Sequence, residues 1–147
     1  MTYCVEVWGN TYRTYIDPIV KLQKRAIRII NKVSYCDTTN ELFIESCTLK
    51  FIDIVYLKTL EILFRVKNKS LPNCIQHFFK LRETNYDLRR LCVFEVCYVR
   101  TNVKYRCVSF LGAKLWNKLS DELKMCRSLL SFKKTLKCKI IKDYNAE

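Results

Sequence analysis

The stretch that decides the fold is FIDIVYLKTLEILFRVK, residues 51–67, which is apolar around most of its circumference. Only the charged residues Asp53, Lys58, Glu61, Arg65 and Lys67 break this apolar pattern. A helix that is apolar on nearly every side is typical of the centre of a domain, where neighbouring elements cover it. Pro72 follows in NKSLP and cannot continue a helix. We therefore expect a central, mostly buried helix that ends before Pro72.

Helices are also predicted on both sides of this segment. Asp17 and Pro18 suit a helix start, because an Asp caps free amides and a Pro fits the first turn. In residues 18–33 apolar side chains recur at helical spacing and are expected to face inward: Ile19, Leu22, Ala26, Ile27, Ile30 and Val33. Further helices are predicted over residues 104–119 and 129–142. The segment LCVFEVCYV, residues 91–99, suits either an extended strand or a buried linker.

The composition favours one helical domain. A chain of 147 residues with 50% apolar residues is long enough to bury a core. It has only two Gly and two Pro, which argues against a turn-rich β-sandwich or barrel. The predicted fold class is mainly α: a compact single domain over residues 1–147 with about five to seven helices and room for one short extended segment near residues 91–99.

The charge is strongly positive and unevenly distributed. The chain has 27 Lys and Arg against 14 Asp and Glu, a net charge of +13. Acids are absent from residues 18–36, 62–82, 96–120 and 123–142, which hold most of the cations. One interpretation is a solvated outer face whose Lys and Arg stems cover apolar surface. The other, which we favour for the whole set, is contact with a polyanion, mostly nucleic acid.

Aromatic residues accompany these cations, and some of them could stack on unpaired bases. The candidates are Tyr3, Trp8, Tyr12, Tyr15, Tyr86, Tyr98, Tyr105 and Trp116. Packing in the core is the simpler interpretation for each of them. We expect it for Trp116, which lies beside an apolar stripe.

Catalytic and metal-binding residues are not expected. Zinc would need Cys74, His77, Cys92 and Cys97, but the chain has no CxxC spacing and a single His. Two-metal polymerase chemistry needs clustered acids. The one adjacent acidic pair, Asp121-Glu122, is better explained as a helix start. The sequence therefore predicts no enzyme activity, no metal, no cofactor and no small-molecule substrate.

The cellular location follows from the thiols and the N-terminus. The start, MTYCVEVWGN, lacks the basic and long apolar regions of a signal peptide. The nine Cys are therefore expected to be reduced. No run of about 18 uncharged apolar residues occurs, so no membrane span is predicted. We expect a nuclear or cytoplasmic protein that is not secreted.

Nine short strings resemble, in the same order, the region after the polymerase domain in reverse transcriptases of non-LTR (LINE-type, jockey-like) retrotransposons. They are VWGNTY (7–12), LQKRAIRII (22–30), TNELF (39–43), LKFIDI (49–54), NKSLP (68–72), NYDLR (85–89), VRTN (99–102), KLWNKL (114–119) and SFKK (131–134). The first 15 or so residues are similar to the end of the polymerase thumb. The Tyr-x-Asp-Asp motif of the polymerase is absent, and Ser120 stands where many relatives have a Pro.

The resemblance implies a remnant that holds template RNA or target DNA without polymerase activity, with RNA favoured over DNA. It places Lys24, Arg25, Arg28, Arg89, Arg100 and Lys114 in matched strings as backbone contacts. With the cations of the acid-free windows, the predicted nucleic-acid-binding residues are Lys21, Lys24, Arg25, Arg28, Lys32, Arg89, Arg100, Lys114, Lys133 and Lys137. The alternative is a structural or protein-interaction module that packed on a polymerase domain and has no activity of its own.

Overall fold

A computed structural model describes residues 2–82 and 93–144 of the chain. These residues form nine α-helices and no strand, which confirms the mainly helical fold class. The helices are α1 Val5–Trp8, α2 Arg13–Ile30, α3 Asn40–Glu45, α4 Phe51–Lys67, α5 Asn73–Gln76, α6 Asn102–Tyr105, α7 Val108–Lys118, α8 Asp121–Lys124 and α9 Leu129–Tyr144. Four of the nine (α1, α5, α6 and α8) are single turns of four residues.

The central helix has the predicted bounds and the predicted role. Four helices pack on α4, namely α1, α2, α7 and α9. The main core lies where α4 meets α7 and α9, and there the ring of Phe64 stacks on Phe132 with centroids 4.8 Å apart. Trp116 of α7 is completely buried beside them, as predicted. The apolar burial of α4 therefore holds the two halves of the chain together.

A second, smaller core fixes the N-terminal part of the chain. Val5 of α1 packs with Phe51 and Val55 of α4, and Ile16 and Ile19 of α2 pack against this cluster. It explains why α2 begins at Arg13 rather than at the predicted Pro18, because the additional turn buries part of Ile16.

The predicted start of α2 is thus wrong in two respects. Asp17 does not cap a helix but lies inside α2, where its carboxylate pairs with Arg13 at 3.5 Å. Pro18 also lies inside α2, which therefore lacks one hydrogen bond of its ladder. The helix ends at Ile30, earlier than the predicted Val33.

The predicted inward face of α2 is only partly correct. Of the six apolar residues expected there, Ile27 is buried and Ile19 and Val33 are half-buried, whereas the other three are exposed: Leu22, Ala26 and Ile30. The polar Gln23 faces the body instead. Its Nε2 donates to the carbonyl of Leu49 at 2.9 Å, and its Oε1 accepts from the amide of Phe51 at 2.7 Å. Gln23 therefore satisfies an amide at the start of α4 that has no partner within that helix.

Two further predictions are corrected after α5. The predicted helix over residues 104–119 is divided into α6 and α7, and Arg106 between them donates to the carbonyl of Thr11 at 2.8 Å. In residues 93–99 only Phe94 is buried, and it forms an isolated antiparallel bridge with Leu81. The side chain of Asn117 holds Phe94 by bonding both its amide and its carbonyl. Residues 91 and 92 of this segment lie outside the described residues.

Three helices end in the same strained way. The residue two positions after α2, α3 and α4 has a positive φ, with values of 53° at Lys32, 48° at Cys47 and 52° at Lys69. After α4 the amide of Ser70 donates to the carbonyl of Arg65 at 2.9 Å, and that of Lys69 donates to Val66 at 3.0 Å. This is a Schellman ending, which glycine usually forms because a Cβ is unfavourable in left-handed backbone.

We expect Lys69→Gly to raise the free energy of unfolding by about 0.5–1 kcal/mol, because glycine has no Cβ and adopts left-handed backbone without strain. Urea denaturation at pH 7 measures the change. The control is Lys69→Ala, which removes the same side chain but keeps the Cβ and should give no gain. An equal gain from both variants would mean that the lysine side chain, and not the backbone, is responsible.

Candidate nucleic-acid interface

Four of the predicted binding residues line one groove on the exposed side of α2. Lys21, Lys24, Arg25 and Arg28 surround an open space of about 740 Å³. The remaining lining residues are apolar or aromatic: Pro18, Leu22 and Tyr35. None of the seven lining residues is an acid, so the groove has an uncompensated positive charge.

The cations of this basic groove are not neutralised from elsewhere in the described fold. Lys21, Lys24 and Arg25 are exposed, and no carboxylate of residues 2–82 or 93–144 forms an ion pair with them. The two acids nearest in sequence are engaged differently. Asp17 pairs with Arg13, and Asp37 accepts a hydrogen bond from the amide of Ser34.

Arg28 combines a structural contact with its charge. Its Nε and Nη2 donate to the backbone carbonyl of Asp37 at 3.2 and 3.0 Å. The guanidinium carbon also lies 5.3 Å from the ring centroid of Tyr35. Arg28 therefore closes the turn that follows α2 and holds an exposed aromatic ring at the edge of the basic groove.

The spacing of these cations does not stabilise α2 by itself. Lys21 and Arg25 are one turn apart, as are Lys24 and Arg28, and like charges at this spacing repel. Lys32, also predicted as a contact, is exposed just beyond the helix. A cation there interacts favourably with the negative end of the helix dipole, but Lys32 is not among the residues that line the groove.

Lys133 has a different environment from the one predicted. Its Nζ lies 2.8 Å from Oε1 of Glu61, a carboxylate of α4 that is only 5% exposed. Arg65 contacts the same oxygen at 2.7 Å, and Lys58 reaches Oε2 at 3.3 Å. Lys133 is thus held by an acid from another helix.

The pKa of Glu61 reflects this arrangement. Burial by itself would raise it, but the hydrogen bond from Lys133 and the charges of Lys58 and Lys133 lower it below the ordinary value of a Glu. Glu61 is therefore ionised at neutral pH, and its charge holds α9 against α4.

The other predicted contacts among the described residues are on other elements and do not line the basic groove. Lys137 is exposed on α9, and Arg100 is exposed before α6. Lys114 of α7 lies with its Nζ 3.3 Å from the hydroxyl of Tyr105. Arg89 lies outside the described residues, as does Tyr86 among the aromatic candidates. Of the nine predicted residues that the structure describes, four line the same groove.

The sequence interpretation missed the apolar part of this surface. Leu22 is 56% exposed and lines the basic groove, while Ile29 and Ile30 are exposed farther along α2. The apolar residues of α2 form one wide arc, and only the part of it that contains Ile16 and Ile27 packs on the body. A signal was present in Gln23, a polar residue in the packed part that bonds backbone groups at the start of α4.

Comparisons with known proteins add no relative: no family model, no curated protein and no solved structure matches the chain. Within residues 2–82 and 93–144, none of the helices combines the length and apolarity needed to cross a bilayer. In the same ranges no three His, Cys, Asp or Glu side chains converge as metal ligands do. Cys92, one of the four zinc ligands considered, lies outside these ranges.

We expect Glu61→Gln to lower the free energy of unfolding by about 2 kcal/mol at pH 7, because three cations lose their shared carboxylate. The pKa of Glu61 is lower in the folded protein than in the unfolded one. Its ion pairs therefore stabilise the fold fully above about pH 4.3, and this stabilisation is lost as the pH falls below that value. The difference between the two proteins should therefore shrink on acidification. Urea denaturation from pH 7 to pH 3 measures it.

The control for this experiment is Glu45→Gln, an exposed Glu on α3 whose loss changes the net charge equally. It should alter stability by less than about 0.5 kcal/mol. A difference between wild type and Glu61→Gln that stays constant down to pH 3 would contradict the ion-pair network.

Proposed function

We propose that this chain binds nucleic acid without sequence specificity, through phosphate contacts made by the basic groove of α2. The observation that carries the proposal is the convergence of Lys21, Lys24, Arg25 and Arg28 on one groove with no acid among its lining residues. A phosphate backbone offsets the repulsion between these cations, and its binding releases the counterions that neutralise them.

The dimensions of the basic groove suit a short length of backbone. Lys21 and Arg28 are seven residues apart on one helix, which corresponds to about 10 Å along the axis. The basic groove is therefore long enough to contact a few successive phosphates of one strand. Contacts to phosphate carry no sequence information, so the expected binding is non-specific.

The family resemblance supports the same surface. Its string LQKRAIRII contains Lys24, Arg25 and Arg28, which all line the basic groove. We infer that the chain is a remnant of a non-LTR retrotransposon reverse transcriptase that lacks the polymerase active site and is not itself an enzyme. RNA is then favoured over DNA as the ligand, and we propose a nuclear or cytoplasmic location.

Salt dependence tests this proposal. Wild-type protein should bind a single-stranded RNA with an affinity that falls steeply with ionic strength. The triple variant Lys21→Gln, Lys24→Gln, Arg25→Gln should bind more weakly, and its slope of log affinity against log salt should be shallower by about two units. Arg28 is kept because it also closes the turn at Asp37. Fluorescence anisotropy of a labelled RNA over a salt series measures both.

The matched control removes three charges from α9 with Lys134→Gln, Lys139→Gln and Lys142→Gln. All three are exposed and outside the predicted contact set. The control should leave the slope within about one unit of wild type. An equal loss in both triple variants would show that only the net charge matters, and a slope near zero for wild type would reject phosphate binding altogether.

A protein-interaction role is the second candidate, with a polymerase domain as the partner that the resemblance implies. The supporting observation is exposed apolar surface. Tyr3 and Val7 near the N-terminus are exposed, whereas Val5 between them is completely buried. Ile29 and Ile30 of α2 add a second exposed apolar area.

If this surface is an interface, the double variant Ile29→Ser, Ile30→Ser should reduce self-association of the isolated chain and leave its affinity for RNA unchanged. Sedimentation velocity at several protein concentrations measures the first effect. Unchanged self-association together with weaker RNA binding would assign these residues to the nucleic-acid surface instead.

A further inference from the structure

A second pocket lies between α1, the start of α2 and the junction of α6 and α7. Its volume is about 340 Å³. Three of its lining residues are aromatic, namely Trp8, Tyr12 and Tyr15. The other lining residues are Val7, Asn10, Thr11, Ile16, Val103, Arg106 and Cys107. None of the ten is an acid.

Neighbouring side chains and a backbone carbonyl fix the orientation of two rings of this aromatic pocket, Trp8 and Tyr12. Trp8 stacks on Phe51 with centroids 5.5 Å apart and planes 24° apart, and its Nε1 donates to the carbonyl of Tyr3 at 3.1 Å. The guanidinium carbon of Arg106 lies 4.2 Å from the ring centroid of Tyr12. The same side chain donates to the carbonyl of Thr11, so it cannot swing away freely.

These contacts hold the rings of Trp8 and Tyr12 in place without covering them. Trp8 remains 37% exposed, Tyr12 42% and Tyr15 70%. A large aromatic side chain normally buries most of its area. Three partly open rings around one concave space therefore form a surface on which a further flat, apolar group can stack.

We propose that the aromatic pocket receives an unpaired nucleobase of a strand whose phosphates occupy the basic groove; this inference rests on the proposed function. A nucleobase has a π-face that stacks on any of these rings regardless of sequence. Arg106 adds a cation that also stacks favourably on bases. The absence of acids from the lining removes repulsion of the attached phosphates.

The two sites are connected along α2. Tyr15 lines the aromatic pocket, and Pro18 and Lys21 line the basic groove from the same helix. Lys21 is six positions after Tyr15, which is about 9 Å along the axis and about a third of a turn around it. A strand of a few nucleotides can therefore place one base on Tyr15 while its backbone reaches Lys21 and Arg25.

The test compares two ligands of equal length and charge, an oligouridine and an abasic ribose-phosphate oligomer, at one salt concentration. The oligouridine should bind about tenfold more tightly, because stacking adds to the phosphate contacts. It should also quench tryptophan fluorescence, whereas the abasic oligomer should not. The chain has two Trp, and Trp116 is completely buried, so the quenched residue is Trp8. The variant Trp8→Phe should abolish the quenching.

A matched pair of variants locates the stacking. Tyr15→Ala should reduce oligouridine affinity about tenfold, towards that of the abasic oligomer, and leave abasic binding unchanged. Tyr15→Phe keeps the ring and should bind both ligands as wild type does. Because Tyr15 is largely exposed, neither change should affect folding, and circular dichroism verifies this.

The outcomes separate this inference from the function on which it rests. Equal affinity for both oligomers without fluorescence quenching would overturn the aromatic pocket as a base site and leave phosphate binding intact. No binding of either oligomer at low salt would overturn the proposed function and this inference together. Quenching of Trp8 by the abasic oligomer to the same extent would also contradict base stacking.

Discussion

The burial of α4 is the constraint on which the rest of the structure depends. This helix is apolar on most sides, so α1, α2, α7 and α9 must all pack on it. Its N-terminal half joins α1 and α2 through Phe51 and Val55, and its C-terminal half joins α7 and α9 through Leu63 and Phe64. Each covering helix therefore contributes one face to the core, and its other residues are free for other contacts.

This constraint gives the cations of α2 and α9 different environments. The packed side of α2 contains Ile16, Gln23 and Ile27. Lys21, Lys24 and Arg25 are therefore exposed, and no carboxylate of the described residues pairs with them. On α9 the buried carboxylate of Glu61 binds Lys133 directly. Two helices that look equally basic in sequence thus differ: a predicted contact of α9 is held by an acid of α4, whereas four predicted contacts of α2 line one groove.

The parts of the fold that sequence could predict are those set by local periodicity. The bounds of α4 and the inward side of α9, with Phe132, Leu136 and Ile140, follow from apolar spacing alone. The inward side of α2 does not, because the polar Gln23 faces the body, where its Oε1 accepts from the amide of Phe51 at the start of α4. Nor does the pairing of Lys133, since only the folded chain brings it to Glu61.

The most direct test of the central claim is a lysine-reactivity footprint of the folded protein with and without single-stranded RNA, measured by mass spectrometry after brief acylation. The claim is that the exposed side of α2, and not the total charge, binds the phosphate backbone. It predicts strong protection of Lys21 and Lys24 and little change at Lys134 and Lys139 of α9. Protection of the α9 lysines with unchanged reactivity at Lys21 and Lys24 would contradict it.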